Sequence, residues 1–574
     1  MVFLAKIGAR LGWLCLFGAG LVLFFASMAS ADTAEFVPSS EIPLDVNVSR
    51  FGHFNKKDDA DNKADILEAQ VDFDQFAWKV FLALNWPANS DGSPKGGDDK
   101  DSSKNYLKYL SDVKSPRVWK GWRTAESIFL PFGKRPDDIW DPSTALRDDK
   151  GFYRAKSAWR AHASAVENSQ AFSGPLVDQN GNWVRYEVMV NEAEFNYIVT
   201  NKLFSQDGQV EFSQSPTANT VNFPLNDDKN SGAIEIKLAW KELGKGDESD
   251  RFYHTRVKVL LSEPMDPGSK EPPSKVIEAG LVGMHIAMRT RSAPEWIWAT
   301  FEQADNLTKS FVHDGYKGSP NFLPYPNATL DKVTGALRPA DGTDASTWIE
   351  SRTKDPVQVV RPEVPTQPGL NPLDADISGV AAQVNDQAHK ILKGSVFANY
   401  NLIDVQWPVH PNAPAFAGGE GTAPESIAHK VPGDIVPVFL VNSIMETYFM
   451  KGDQFAGPQE QDDRLASDAP PIDHTRVFAT ESCAGCHYSA GITIGFKRDK
   501  NGQEILDPAG RPIAIYGENS HFGQSGNGQF SWLLQMEAKA TRRAMARAVV
   551  TKVSNPAAEF IDRGVDSGAT PGKP

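Results

Sequence analysis

Sulfur is scarce in this chain: 574 residues contain three cysteines, and Cys15 lies inside the N-terminal apolar segment. A disulfide framework is therefore excluded, and a structural zinc site is left short of ligands because no second Cys pair exists. Positive charge is also in deficit, with 59 Lys and Arg against 73 Asp and Glu and a formal net charge of −14. Such a surface repels phosphate backbones, so nucleic acid is not the expected partner. No phosphate-binding loop, dinucleotide fingerprint or G-x-S-x-G occurs in a usable context, and no internal repeat is found. Disorder is excluded in turn by 40% apolar residues and 14 tryptophans.

What is present begins with a leader. Lys6 and Arg10 are its only charges, Leu11 to Phe25 is an apolar run, and Ala29-Ser30-Ala31 precedes Asp32. Residues 1–31 read as a signal peptide cleaved on export, because the run is shorter than the roughly 20 residues of a spanning helix and ends in small residues. No later stretch is long and apolar enough to cross a bilayer, so the mature chain is expected to have no membrane span. In a bacterium with two membranes it belongs in the periplasm. Cys15 leaves with the leader, so the mature chain keeps Cys483 and Cys486 alone.

The length predicts two or three domains. Near the N-terminus, Phe73, Phe76, Ala77, Val80, Phe81 and Leu84 recur at helical spacing, and Pro87 ends the pattern. Residues 90–105 are polar and charged and read as a solvated loop. Period-two alternation marks strands in NWVRYEVMVN, AIEIKLAW, FYHTRVKVLL, VIEAGLVGMHIAMRT and EWIWATF. An antiparallel sheet or sandwich is thus expected between about residues 180 and 302. Two Pro-rich stretches, 352–374 and 408–425, read as linkers or surface loops and place a boundary near 430. PVFLVNSIMETYFMK (437–451) and QFSWLLQMEAKATRRAMARAVVTKV (529–553) read as helices. The expected class is α+β: a large cysteine-free region, 32–430, around an antiparallel sheet, then a mainly helical region, 431–574, that holds both cysteines. DQNGNW and DKNGQE begin like calcium loops but lack Gly at the sixth place and an acid at the twelfth, so both read as hairpin turns.

The chemistry-bearing motif is Cys483-Ala484-Gly485-Cys486-His487, which fits the C-x-x-C-H attachment sequence of c-type haem. Two sulfurs three positions apart can each form a thioether to a haem vinyl group, and the next residue projects an imidazole onto the iron. A thioredoxin-like dithiol would want a βαβ surround and a helix after the second Cys, and CAGCHYSAGITIGF offers no clear one. The five residues resemble the attachment site of c-type cytochromes, which implies thioether links at Cys483 and Cys486 and His487 as proximal ligand. With its length and the stretch HIAMRTRSAPEWIWATFEQ, the whole chain is similar to large, single-haem, exported proteins of the cytochrome c family.

The iron's sixth position separates electron transfer from catalysis, since two strong protein ligands leave no place for substrate. Met536 follows His487 by 49 positions but falls off the Phe530, Leu533, Leu534 face of its helix. His521 is the only His or Met between His487 and Phe530, in a Gly-rich loop. His285 sits in an apolar, Gly-containing strand followed by Trp296, Trp298 and Phe301, the setting in which a buried imidazole could serve as distal ligand or acid-base group. The remaining histidines have no spacing that marks a metal pair and default to core or surface roles. The leading expectation is a periplasmic single-haem c-type cytochrome that transfers one electron at a time to or from a redox partner protein. The alternative is a haem enzyme, peroxidase- or oxygenase-like, with an open distal face built by the N-terminal region. A third reading is a haem-based ligand sensor, although no signalling module is recognisable.

Overall fold

A computed structural model describes residues 36–46, 59–97, 103–137, 139–143, 153–154, 176–216, 220–260, 274–307, 320–324, 329–330, 337–338, 358–359, 374–408, 435–436, 440, 442–446, 483, 487, 490–507, 510–517 and 525–540. Its centre is a nine-stranded sheet. In chain order the strands are β1 (Arg123–Thr124), β2 (Tyr153–Arg154), β3 (Arg185–Val190), β4 (Ile234–Glu242), β5 (His254–Leu260), β6 (Ser274–Met288), β7 (Ile297–Gln303), β8 (Tyr400–Pro408) and β9 (Ile435–Val436). Their spatial order is β1-β3-β4-β6-β7-β8-β9, with β5 alongside the first half of β6 and β2 on β5. Every pairing is antiparallel except β2 with β5. The expected antiparallel sheet is therefore present in a mixed α and β chain, and it extends past residue 302 through β8 and β9.

The back of the sheet is covered by α1 (Asp59–Leu84) and α4 (Asp374–Ile391), with α2 (Glu192–Thr200) and α3 (Gln206–Ser213) between them in sequence. The predicted apolar face of α1 is the one that packs: Phe73, Phe76, Ala77, Val80, Phe81 and Leu84 are all buried. Phe81 stacks on Phe301 at 4.2 Å between centroids, Trp78 meets Phe301 edge-on at 5.1 Å, and Phe73 stacks on Trp407 at 4.5 Å. Polar clamps fix the register. Gln70 donates to Asp404 Oδ1 and the Val405 carbonyl and accepts from Trp407 Nε1, while Asn385 of α4 accepts from Trp78 Nε1 and bonds both ways with the Leu402 backbone.

The strands differ from the sequence reading in one respect that matters for the site. Alternation of Ile234, Ile236 and Leu238 with Glu235 and Lys237 reads as a half-solvated strand, yet the second face is covered as well. Segment 442–446 crosses it: Asn442 Nδ2 donates to Thr300 Oγ1 (2.8 Å), Ser443 gives its N–H and hydroxyl to Glu302 (2.6 and 2.7 Å), and the Ile444 carbonyl accepts from Tyr186 (2.8 Å). That segment was expected to be helical, and its described residues form a turn in which Asn442 Oδ1 accepts the Ile444 and Met445 N–H groups. The C-terminal residues form β10 (Thr493–Phe496), β11 (Ala514–Tyr516) and the short helix α5 (Trp532–Met536). The helix expected over 529–553 thus stops at Met536, because Lys539 pairs instead with Ser205 and its carbonyl accepts from Gln206 N–H at the start of α3. Residues 541–553 and the two Pro-rich stretches, apart from the end residues 358–359, 374 and 408, lie outside the described residues, as does the boundary near 430. Both calcium-like stretches are hairpin turns, and a third of the same form occupies 507–511. In each the leading Asp accepts the N–H four residues on, and the glycine takes a left-handed φ, 76° at Gly181, 79° at Gly502 and 75° at Gly510.

Phe81 joins the back helix to the sheet and has no accessible surface. Phe81→Ala is expected to lower the unfolding free energy by about 3–5 kcal/mol, measured by chemical denaturation against the parent protein.

Candidate functional site

The pleat sends alternate side chains of each strand to one face, and the register decides which of them meet. Across β4, β6 and β7, Lys237 stands opposite His285 and His285 opposite Thr300, while Glu235, Ala287 and Trp298 form the next row. Segment 442–446 brings Glu446 to this face, where its Oε1 lies 3.2 Å from His285 Nε2 in an electrostatic contact not aligned for a hydrogen bond. Glu446 Oε2 accepts the Asn442 N–H at 2.8 Å. Burial pushes the Glu446 carboxyl up, but His285 and Lys237 outweigh it and hold the group below its ordinary value.

His487 comes to the same face. Its ring lies 4.7 Å from that of Trp298, and its Nδ1 donates to the Phe530 carbonyl at 2.7 Å. Nε2 has no hydrogen-bond partner among the described residues. Burial pushes its pKa down to about 4, against the pull of the Phe530 carbonyl and in the same sense as the charges of His285 and Lys237, so the ring is neutral at physiological pH. Cys483 and His487 both have helical backbone. Cys483 is half-buried against the apolar cluster that contains Trp298, Ile492 and Phe530.

The Phe530 carbonyl is held out by an uncommon backbone. Gln529 and Phe530 both have positive φ, 50° and 67°, and Trp296, whose Nε1 donates to the Gln529 carbonyl at 3.2 Å, has φ 75°. Bulky residues enter the left-handed region only when their surroundings over-determine it, and such residues gather at functional sites. Here Gln529 is pinned by its side chain, which accepts Phe223 N–H at 2.5 Å, and by Asn527, which accepts its N–H at 2.7 Å.

His487, His285, Glu446, Glu235 and Lys237 each keep part of their surface accessible, yet burial is the first cause acting on the ionisation of His487, Glu446 and Glu235. Beside these groups sits a carboxyl pair. Glu194, at the third position of α2, has no accessible surface, its carboxyl has no hydrogen-bond partner among the described residues, and burial followed by the nearby Glu235 raises its pKa well above the ordinary value. Glu235 accepts from Ser531 Oγ at 2.9 Å, and burial, opposed by Ser531 and Lys237, pushes it up to about 7. The proximity of the two carboxyls disfavours ionisation of both together.

Of the residues singled out in the sequence, Cys483, His487, His285 and Trp298 meet at or beside one face; Cys486 and His521 lie outside the described residues. Met536 is half-buried at the last position of α5, with no recorded contact to His487. His254 and His389 take the structural roles expected of them, on Glu278 and the Tyr400 carbonyl. Glu446, Lys237, the Glu194–Glu235 pair and the Phe530 carbonyl were not anticipated. The polar positions of AIEIKLAW carried a signal, but only strand register could set them beside His285. Among the described residues no three His, Cys, Asp or Glu side chains converge as a metal cluster, and no helix is long and apolar enough to cross a membrane. No protein-family model, curated protein or solved structure matches the chain.

Because the folded-state pKa of Glu235 is raised, the stability supplied by the protonated pair is complete below the ordinary carboxyl value and is lost as pH rises through about 7. Glu235→Gln keeps an acceptor for Ser531 and removes the titration. Its Tm relative to the parent is expected to climb steadily between about pH 5 and about pH 8, read by thermal melts across that range.

Proposed function

We propose that this chain is a periplasmic single-haem c-type cytochrome that passes electrons one at a time, with the haem linked covalently to Cys483 and Cys486 and its iron held by Nε2 of His487. The reading rests on the C-x-x-C-H motif behind an export leader, and one observation carries it in the fold. A ligating imidazole needs one nitrogen free and the other fixed by a hydrogen bond that sets its tautomer and direction. His487 has that arrangement, with Nδ1–H given to the Phe530 carbonyl, a depressed pKa and an Nε2 without a hydrogen-bond partner among the described residues.

The residues around His487 fit the group. Cys483 packs against the apolar cluster that includes Trp298 and Phe530, and the charges of His285, Lys237 and Glu446 act on His487. When bound, the haem supplies an iron centre that takes up and releases single electrons. The chain does the rest: the Phe530 carbonyl orients His487 and raises the basicity of its free nitrogen, burial keeps the ring unprotonated, and the charges of Lys237 and Glu446 bias the potential at the site. The C-terminal haem region would then be a segment seated on the sheet of the cysteine-free region.

The mature protein, denatured on a gel and stained for pigment, is expected to keep its colour and to carry the extra mass of one haem. A colourless band of unmodified mass overturns the reading.

His285 favours a second reading, a haem enzyme with an open distal face. Its contact with Glu446 and its place across the strand from Lys237 suit a group that exchanges protons. The spectra of the oxidised protein separate the two. Low-spin iron that ignores cyanide belongs to the electron carrier; high-spin iron that takes up cyanide or peroxide belongs to the enzyme, in which case His285→Ala abolishes turnover and leaves the pigment attached.

A further inference from the structure

One aromatic chain touches His487. Trp298 lies 4.7 Å from the His487 ring, Trp296 lies 6.1 Å from Trp298, Phe223 lies 5.7 Å from Trp296, and Tyr197 lies 5.2 Å from Phe223. At such centroid separations neighbouring rings are in van der Waals contact. Trp296, Trp298 and Phe223 are buried in one core cluster, whereas Tyr197 is half-buried on α2, and its hydroxyl accepts the N–H of the exposed Asn222. The line therefore runs from the imidazole through dry interior to the protein surface.

Its members are held by the backbone that holds His487. Trp296 Nε1 donates to Gln529, the residue before Phe530, and the Gln529 side chain accepts Phe223 N–H. Arg289 clamps the outer end, donating to the Pro294 carbonyl, the Asn222 side chain and the Phe223 carbonyl. The aromatic cluster on the back of the sheet, with Phe73, Trp78, Phe81, Phe301 and Trp407, makes no ring contact with His487 or Trp298 among the described residues. Aromatic content alone does not produce the connection.

We propose that Trp298, Trp296, Phe223 and Tyr197 form a route for single electrons between the haem at His487 and the protein surface at Tyr197. The inference rests on the haem reading above and deepens it by naming the point of exchange. In the forward step a one-electron donor at the surface loses an electron and the ferric iron gains it; the four rings end as they began, and no proton or bond is exchanged.

The test places a probe at the outer end. Asn196, exposed on α2 beside Tyr197, is replaced in Asn196→Cys, and the new thiol is labelled with a ruthenium(II) polypyridyl complex. A flash drives one electron from the excited complex to the ferric haem, leaving ruthenium(III), and the haem absorbance follows the transfer. Adding Phe223→Leu is expected to slow that transfer by about an order of magnitude, because an aliphatic gap replaces one ring of the contact series. The haem spectrum should not change. With the complex at Lys500→Cys instead, on the exposed hairpin, Phe223→Leu should have no effect. Equal rates with and without Phe223→Leu at the Asn196 position overturn the route. If Phe223→Leu fails to fold, Tyr197→Leu carries the same comparison. A protein without attached pigment defeats the haem reading instead, so the two failures are distinguishable.

Discussion

The hydrogen bond from His487 to the Phe530 carbonyl is the interaction on which the rest of the site depends. It fixes the tautomer, leaves Nε2 as the other ring nitrogen, and ties the cysteine-bearing segment to a loop 43 residues further along. To present that carbonyl the chain accepts left-handed backbone at two successive non-glycine residues, and Trp296, itself left-handed, braces the loop from the sheet. Three residues with left-handed backbone gather around the two successive carbonyls of Gln529 and Phe530, a cost that persists only where the surroundings over-determine it.

The sheet explains how a cysteine-poor chain of this length supports such a site. Helices α1 and α4 bury its back through aromatic stacking, which leaves the front free to carry polar groups. On that front Lys237, His285, Glu446 and the Glu194–Glu235 pair sit in reach of one another and are partly desolvated, so each charge acts over a longer distance than it would in water. The neutral state of His487 follows from that environment and not from any property of the motif itself.

Much of this was legible in the sequence. The face of α1 was readable because helical spacing and burial agree, and the five central strands because β-branched residues alternate along them. The motif is the source of the proposed haem chemistry. What could not be read was the partner of each front-face residue. Glu235 and Lys237 look like solvent-facing positions, since polarity alternates in the same way whether the second face meets water or other polar side chains. The turn at 442–446 looked helical because its apolar residues fall at helical spacing, yet Asn442 spends its side chain on local backbone and on Thr300. The helix at 529–553 was overestimated because Lys539 finds a tertiary partner at Ser205.

The long separation between His487 and its carbonyl partner also orders events in time. Carbon–sulfur links can be made on a chain that has not yet folded, because they involve only neighbouring side chains. Orientation of the imidazole cannot, since the acceptor arrives only when the segment around Phe530 has docked on the sheet beside Trp296 and Trp298. Under the proposed haem reading, maturation has two stages, an early one that secures the pigment and a later one in which folding of the C-terminal loop orients His487.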